Sequence, residues 1–162
     1  MAVRLDHGAW YVKCNIAKSQ ERLRARGVEA KEPASLSITL PIIVAAANES
    51  RDDLQDLWAR LLAASVDPTR AKSFRIAFID VAKRMDPLDA AALRSAQEQA
   101  AGAVIDIEIR RRISGHLKSS LDEIDVSFRN LAKLELVQPV TMNQVEVNLT
   151  SFGREFLRAV SD

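Results

Sequence analysis

The residues best suited to chemistry in this 162-residue chain are few and far apart. Hydrolysis by an activated nucleophile needs Ser or Cys near a His and an orienting acid. His7 and His116, the two histidines, lie in no recognisable motif: His7 is near the start of the chain, and His116 follows Gly115 in a predicted turn. Cys14 is the single cysteine, and a metal site built from it and the histidines would have to gather three distant segments without any ligand spacing. Asp52, Asp53 and Asp56 invite a metal or general-base reading. Their place in the first turns of a predicted helix gives a simpler one, because carboxylates there complement the helix dipole. The five glycines are scattered, so no glycine-rich loop can cradle a phosphate. Arg110-Arg111-Arg112 is the sole basic run and could meet phosphate; beside Asp106 and Glu108 it reads instead as a solvated strand end. Trp58 could be a recognition aromatic, but between Leu54 and Leu61/Leu62 it reads as a core anchor. No residue is assigned a catalytic, cofactor-binding or metal-binding role.

The elements that carry these residues are mostly helical. Trp10, Cys14, Ala17 and Leu23 predict a weakly amphipathic helix from about Trp10 to Arg26, stopped by Gly27. Val28 to Ser35 reads as a connector. Ser37 to Asn48 reads as a short, heavily buried helix with Pro41 tolerated in its first turn. Ser50 and Asp53 form a capping-box-like start for the clearest helix, with Leu54, Leu57, Trp58, Leu61, Leu62 and Val66 on one face and Asp67-Pro68 at its end. The next helix carries Phe74, Ala77, Phe78, Val81, Ala82 and Met85 on one face.

Asp86-Pro87 looks like an N-cap and first helical residue, opening a helix that runs to about Ala100. Ile105, Ile107 and Ile109 alternate with charged residues, the pattern of a half-buried strand, although the same segment could be helix. A short helical turn is predicted at Gly115 to Ser119. Ser120 with Glu123 repeats the capping-box pattern and opens a helix through Ile124, Phe128, Leu131 and Leu134. Leu136 to Val140 and Val145 to Leu149 read as hairpin arms around a turn at Thr141 to Asn143. Thr150 caps a last helix holding Phe152, Phe156, Leu157 and Val160.

The predicted fold is mainly α (α+β): an N-terminal helical region (1–85) packed on a C-terminal winged-helix-like region (86–162) with a small β-hairpin. Charge is nearly balanced, 23 basic against 22 acidic side chains, so bulk charge does not point to nucleic acid. No apolar run is long enough to span a membrane, and the first ten residues lack a signal peptide's apolar core. With one cysteine, the expected compartment is the reducing cytoplasm.

Three segments in order resemble the abortive infection alpha (Abi-alpha) family of bacterial proteins, described as a domain of unknown function. They are Leu54-Gln-Asp-Leu-Trp-Ala-Arg-Leu-Leu-Ala63, preceded by Leu40-Pro41-Ile42; Met85-Asp86-Pro87-Leu88-Asp89; and Leu149-Thr150-Ser151-Phe152-Gly153-Arg154-Glu155-Phe156. Met85 stands where the family more often has serine. The resemblance implies a role in phage defence or on mobile elements and brings no catalytic residues with it. The expected function is thus a non-enzymatic phage-defence protein without cofactors, working through an unknown protein partner or as a homo-oligomer. The alternative is a DNA-binding winged-helix regulator; nucleic acid is a less favoured partner, and no membrane association is expected.

Overall fold

The computed structural model describes residues 2–29, 36–100, 104–140 and 146–161, with side chains from residue 8 onward. Eight α-helices, a 3-10 turn and one small antiparallel hairpin account for the regular structure of the described residues. The chain divides into two compact units, Met1–Lys83 with Arg158–Asp162, and Arg84–Leu157.

In the first unit α3 (Asp52–Val66) is the central helix, packed against α1 (Ala2–Ala25), α2 (Leu36–Asn48) and α4 (Ile76–Lys83). Its buried residues include Leu54, Leu57, Trp58, Leu61 and Leu62, as the apolar seam predicts, and continue through Ala59, Ala63 and Ala64. Those alanines let neighbouring helices approach on faces beyond the seam. A 3-10 turn (Ala71–Ser73) leads to Phe74, whose ring meets Phe78 edge-on with centroids 5.7 Å apart. The predicted face of α4 shifts slightly: Phe74 and Met85 flank the helix, Ala77 is exposed and Ile79 is buried.

Three local expectations for this unit need correction. First, the inward face of α1 is Asn15, Ser19 and Leu23; Trp10 is 59% exposed, Ala17 is exposed and Cys14 only half-buried. A buried amide network explains the change of phase. Asn15 Nδ2 donates to the Tyr11 carbonyl and to Gln55 Oε1, while Gln55 Nε2 donates to the carbonyls of Ala46 and Glu49. Buried polar groups are tolerated when hydrogen-bonded, so amides take the place of an apolar stripe on this face.

Second, α3 starts one residue later than the capping-box pattern suggests. Arg51 is its N-cap and makes no side-chain cap. Glu49 fixes the approach instead, accepting the Arg51 amide and guanidinium at 2.9 Å. Third, α2 is not heavily buried. Its buried residues are Thr39, Ile42 and Ala46, and Pro41 lies inside the helix rather than in its first turn.

The second unit opens with α5 (Pro87–Ala100), whose start at Asp86-Pro87 follows expectation. α6 (Ile107–Leu117) replaces most of the predicted strand. The Asp106 carboxylate caps it by accepting the Ile109 amide at 2.9 Å, which commits the segment to helix, and strand pairing shrinks to a single bridge between Ile105 and Val147. α6 also absorbs Gly115 and His116, ending at Lys118 in the left-handed conformation (φ 53°) rather than in a separate helical turn. α7 (Leu121–Lys133) begins with the full Ser120/Glu123 capping box. Strands β1 (Val137–Pro139) and β2 (Val147–Leu149) pair in the register Val137↔Leu149. The predicted turn Thr141–Asn143 lies outside the described residues. α8 (Ser151–Val160) follows directly.

Ile105, Ile113, Ile124, Leu131 and Leu136 are fully buried, and Phe128 and Phe156 nearly so; together they make the core of this unit.

Candidate functional site

The residue types that could do chemistry are held apart. His116 is exposed near the end of α6, Cys14 is half-buried on α1, and the side chain of His7 lies outside the described residues. Among the described residues no group of three or more His, Cys, Asp or Glu side chains is placed to hold a metal ion.

The acidic cluster separates too. Asp52 and Asp53 are exposed on the first turn of α3, where they complement its dipole. Asp56 joins Arg22 of α1 and Arg60 one turn on, the latter at 2.8 Å. Burial opposes ionisation of Asp56, but the Arg60 hydrogen bond and the charges of Arg60 and Arg22 hold its carboxyl below the usual range. Arg60 also donates to the Val160 carbonyl at 3.1 Å.

Just past the end of α1, Arg26 reaches fully buried Asp67 at 3.3 Å, and Asp67 accepts the Thr69 amide and hydroxyl at 2.8 and 2.6 Å. Burial again opposes the charge, and the Thr69 hydrogen bonds with Arg26 and Arg70 overcome it, so its pKa is lowered. A carboxylate with a lowered folded pKa contributes stability above its unfolded pKa of about 3.9 and loses it as pH falls through the folded value. Asp67→Asn is therefore expected to destabilise the protein at pH 7 by about 1–3 kcal/mol, as charged hydrogen bonds are lost. Thermal melts from pH 7 to pH 3 check this: the variant's curve is expected to fall less on the acid side than the wild-type curve.

Arg110-Arg111-Arg112 is not a basic patch. Arg110 is 4% exposed, pairs with Asp125 at 2.6 Å and lies 4.9 Å over the Phe128 ring. Arg111 pairs with Glu108 on the exposed helix surface at 3.6 Å. The run lies on α6 and not at a strand end.

Polar residues of the segments Met85–Asp89 and Leu149–Phe156 are likewise committed to the scaffold. Asp89, 3% exposed, accepts the Asp86 amide at 2.9 Å and Asn130 Nδ2 at 2.6 Å, tying the start of α5 to α7. Thr150 Oγ1 donates to the Glu135 carbonyl at 2.5 Å and accepts the Gly153 amide at 2.8 Å. Among the described glycines, Gly153 is the one where a side chain has no room: a Cβ there would run into the Leu136 carbonyl, 2.9 Å from its carbon and 3.1 Å from its Cα.

What remains is a surface. Leu36, Leu40 and Val44 form the outer ridge of α2, spaced one turn apart and 74%, 58% and 53% exposed. Beside the ridge lies an open groove of about 590 Å³ lined by Leu40, Pro41, Val44, Trp58, Glu49 and Lys83 among others. Trp58 is 2% exposed, so it is the core anchor the sequence suggests, with its edge forming part of the groove. The Arg51 guanidinium, hydrogen-bonded to Glu49, holds the Glu49 carboxyl below its usual pKa against the opposing effect of burial. α2 contains no charged side chain, and the four-residue spacing of its outer apolar residues was the signal in the sequence for this ridge.

A second hollow, on α1 beside Asp56, mixes Lys18, Arg22 and Arg26 with Glu21 and Asp56. A third lies by β2 and the start of α8, where Arg154 and Thr150 are bound to backbone carbonyls. The second is bordered mainly by charged side chains.

A family model described as Abortive infection alpha matches residues 12–160. No curated protein and no solved structure matches the chain.

Proposed function

We propose that this chain, which belongs to the abortive infection alpha family, acts in phage defence in the cytoplasm as a non-enzymatic protein working through protein contacts. The family supports the setting, and the uncharged, exposed ridge of α2 supports the mode of action. Single exposed apolar residues are ordinary on a protein surface, whereas a contiguous apolar strip beside a groove is the usual form of an interaction site. Support for a non-enzymatic role comes from the way Asp56, Asp67, Asp89 and Thr150 are engaged in holding helices together.

The test is phage plating on bacteria that express the chain. Wild type is expected to lower plaque formation, and Leu40→Asp/Val44→Asp to abolish that protection while leaving the melting curve intact. Protection that survives in the folded double variant would overturn the contact mechanism.

One observation favours the regulator reading. The Ile105–Val147 bridge extends the hairpin, and the order α5, bridge, α6, α7, β1, β2, α8 is compatible with a winged-helix arrangement. In such folds the helix in the place of α7 enters the major groove with its early residues. Here Asp122 and Glu123 are exposed at that end, opposed by Arg129 and Lys133 further along. Phosphate neutralisation supplies most non-specific affinity, so duplex binding is expected to be no tighter than ~10⁻⁴–10⁻⁶ M at physiological salt. Titration of labelled duplex at several salt concentrations checks it; nanomolar, sequence-selective binding would put the regulator first.

A further inference from the structure

We propose that the end of α8 is a latch, closed by Arg60 and Arg70, that opens locally while the rest of the first unit stays folded. It goes beyond the contact mechanism and does not depend on it. Arg158 to Ser161, the end of α8 and the residue after it, belong to the first unit. The last carbonyls of a helix receive no amide of the same helix, and here guanidinium groups supply the missing donors. Arg60 Nη1 donates to the Val160 carbonyl at 3.1 Å. Arg70 Nη1 donates to the carbonyls of Arg158 and Ser161 at 3.2 and 2.8 Å. Positive charge at this end also complements the helix dipole.

Each arginine is aimed by a carboxylate. Arg60 Nε pairs with Asp56, one turn back on α3, at 2.8 Å. Arg70 Nε lies 3.8 Å from buried Asp67, the C-cap of α3, and the Arg70 amide donates to the Asp67 carbonyl at 3.0 Å. The same two carboxylates bind Arg22 and Arg26 at the end of α1. The grip on α8 is therefore built into the α1–α3 pair and is in place whether or not α8 is seated.

The latched residues contribute nothing to the core. Phe156 and Leu157 are buried, but Arg158 is exposed and Ala159, Val160 and Ser161 are only half-buried. Releasing them uncovers less apolar surface than opening α3, and such segments lie at the low end of the scale of local opening. Ser161 Oγ donates to the Arg158 carbonyl at 3.1 Å, so that carbonyl keeps a partner within its own turn when Arg70 lets go. Arg60 and Arg70 likewise keep Asp56 and Asp67. Open and closed forms are thus two discrete arrangements, and the hydrogen bonds to α8 decide between them.

Amide hydrogen exchange of the full chain, read residue by residue, tests the latch. In wild type the amides of Ala159 and Val160 are expected to exchange faster than those of Leu61 and Leu62 in the core of α3. Arg60→Gln and Arg70→Gln are each expected to speed Ala159 and Val160 by about tenfold or more, the equivalent of one lost hydrogen bond from a charged donor. Leu61 and Leu62 should change by a smaller factor. Arg154→Gln is the control on the same helix: Arg154 donates to the Leu149 carbonyl at 2.7 Å, at the far end, and its loss should leave Ala159 and Val160 unchanged. Asp67→Asn should speed Ala159 and Val160 relative to Leu61 and Leu62. In the Arg70→Gln background it should add nothing to that ratio, because Asp67 acts on α8 through Arg70.

If Arg60→Gln does not fold, Arg70→Gln, on the turn after α3, decides alone. Ala159 and Val160 that exchange no faster in the arginine variants would overturn the proposal, since packing would then seat the segment. Acceleration only in step with Leu61 and Leu62 would overturn it too, because the end of α8 would then open only with the whole unit.

Discussion

Gly153→Ala is expected to lower stability by at least ~3 kcal/mol, at the upper end for an overpacked site. The obstruction is backbone: the new Cβ would meet the Leu136 carbonyl, and Leu136 is held by the Thr150 amide at 3.1 Å and the Thr150 hydroxyl at 3.2 Å. Neither side can move aside without breaking the link between the end of α7 and the start of α8. Gly115→Ala is the matched control. Gly115 sits in α6 with nothing within 4 Å of a built Cβ, and alanine there should stabilise by about 0.5–1 kcal/mol through better helix propensity. Chemical denaturation of both variants decides the matter. Two losses of equal size would mean that Gly153 has room after all.

Trp58→Ala is expected to cost about 3–5 kcal/mol, the range for a large aromatic removed from a core. The indole is 2% exposed and flanked along α3 by Leu54, Leu57, Leu61 and Leu62, all buried. For a chain of this length that loss corresponds to a fall in Tm of more than ~6 °C. The variant also deepens the groove beside α2, so it tests the core and not the contact surface; Leu40→Asp, on the ridge, should melt close to wild type. If Trp58→Ala melts within a degree or two of wild type, α3 does not anchor the first unit through this residue.

The parts of the fold legible in the sequence share one property: local chemistry and burial agree there. Asp86-Pro87, the Ser120/Glu123 box and Thr150 before Phe152 are cap signals immediately followed by apolar periodicity, and α5, α7 and α8 start where these predict. The seam of α3 is equally plain because a single face carries Leu54, Leu57, Trp58, Leu61 and Leu62.

Where the two disagree, the reading fails. Asn15 and Ser19 face inward on α1 because hydrogen bonds, which composition does not display, replace apolar contact. The alternation of Ile105, Ile107 and Ile109 imitates a strand, but Asp106 caps a helix whose buried positions are Ile109 and Ile113, and Ile107 is left outside. In the sequence α2 reads as buried because nothing along it is charged. An uncharged helix gives no polar mark to show which side faces water, and here one side does. Of the candidate site, the isolation of His116 and Cys14 could be read directly. The fate of Asp56 and Arg110 could not, since their partners Arg22 and Asp125 lie 34 and 15 residues away.

The Asn15–Gln55 pair has a further consequence, for alignment rather than strength. An entirely aliphatic seam between α1 and α3 would tolerate sliding by one helical turn, because one leucine is nearly as good a neighbour as the next. A buried amide removes that tolerance. In any shifted alignment Asn15 and Gln55 would lose the hydrogen bond to each other, while Asn15 keeps its bond to Tyr11 and Gln55 its bonds to Ala46 and Glu49, at a cost of about 1–3 kcal/mol. Replacing both by leucine should thus leave a protein of similar or greater stability whose α1 no longer has a single seat on α3, detectable as doubled or broadened backbone resonances along Tyr11 to Arg26. The two amides act as a key that admits one alignment of the helices, in the way a lone asparagine fixes the stagger of a coiled coil.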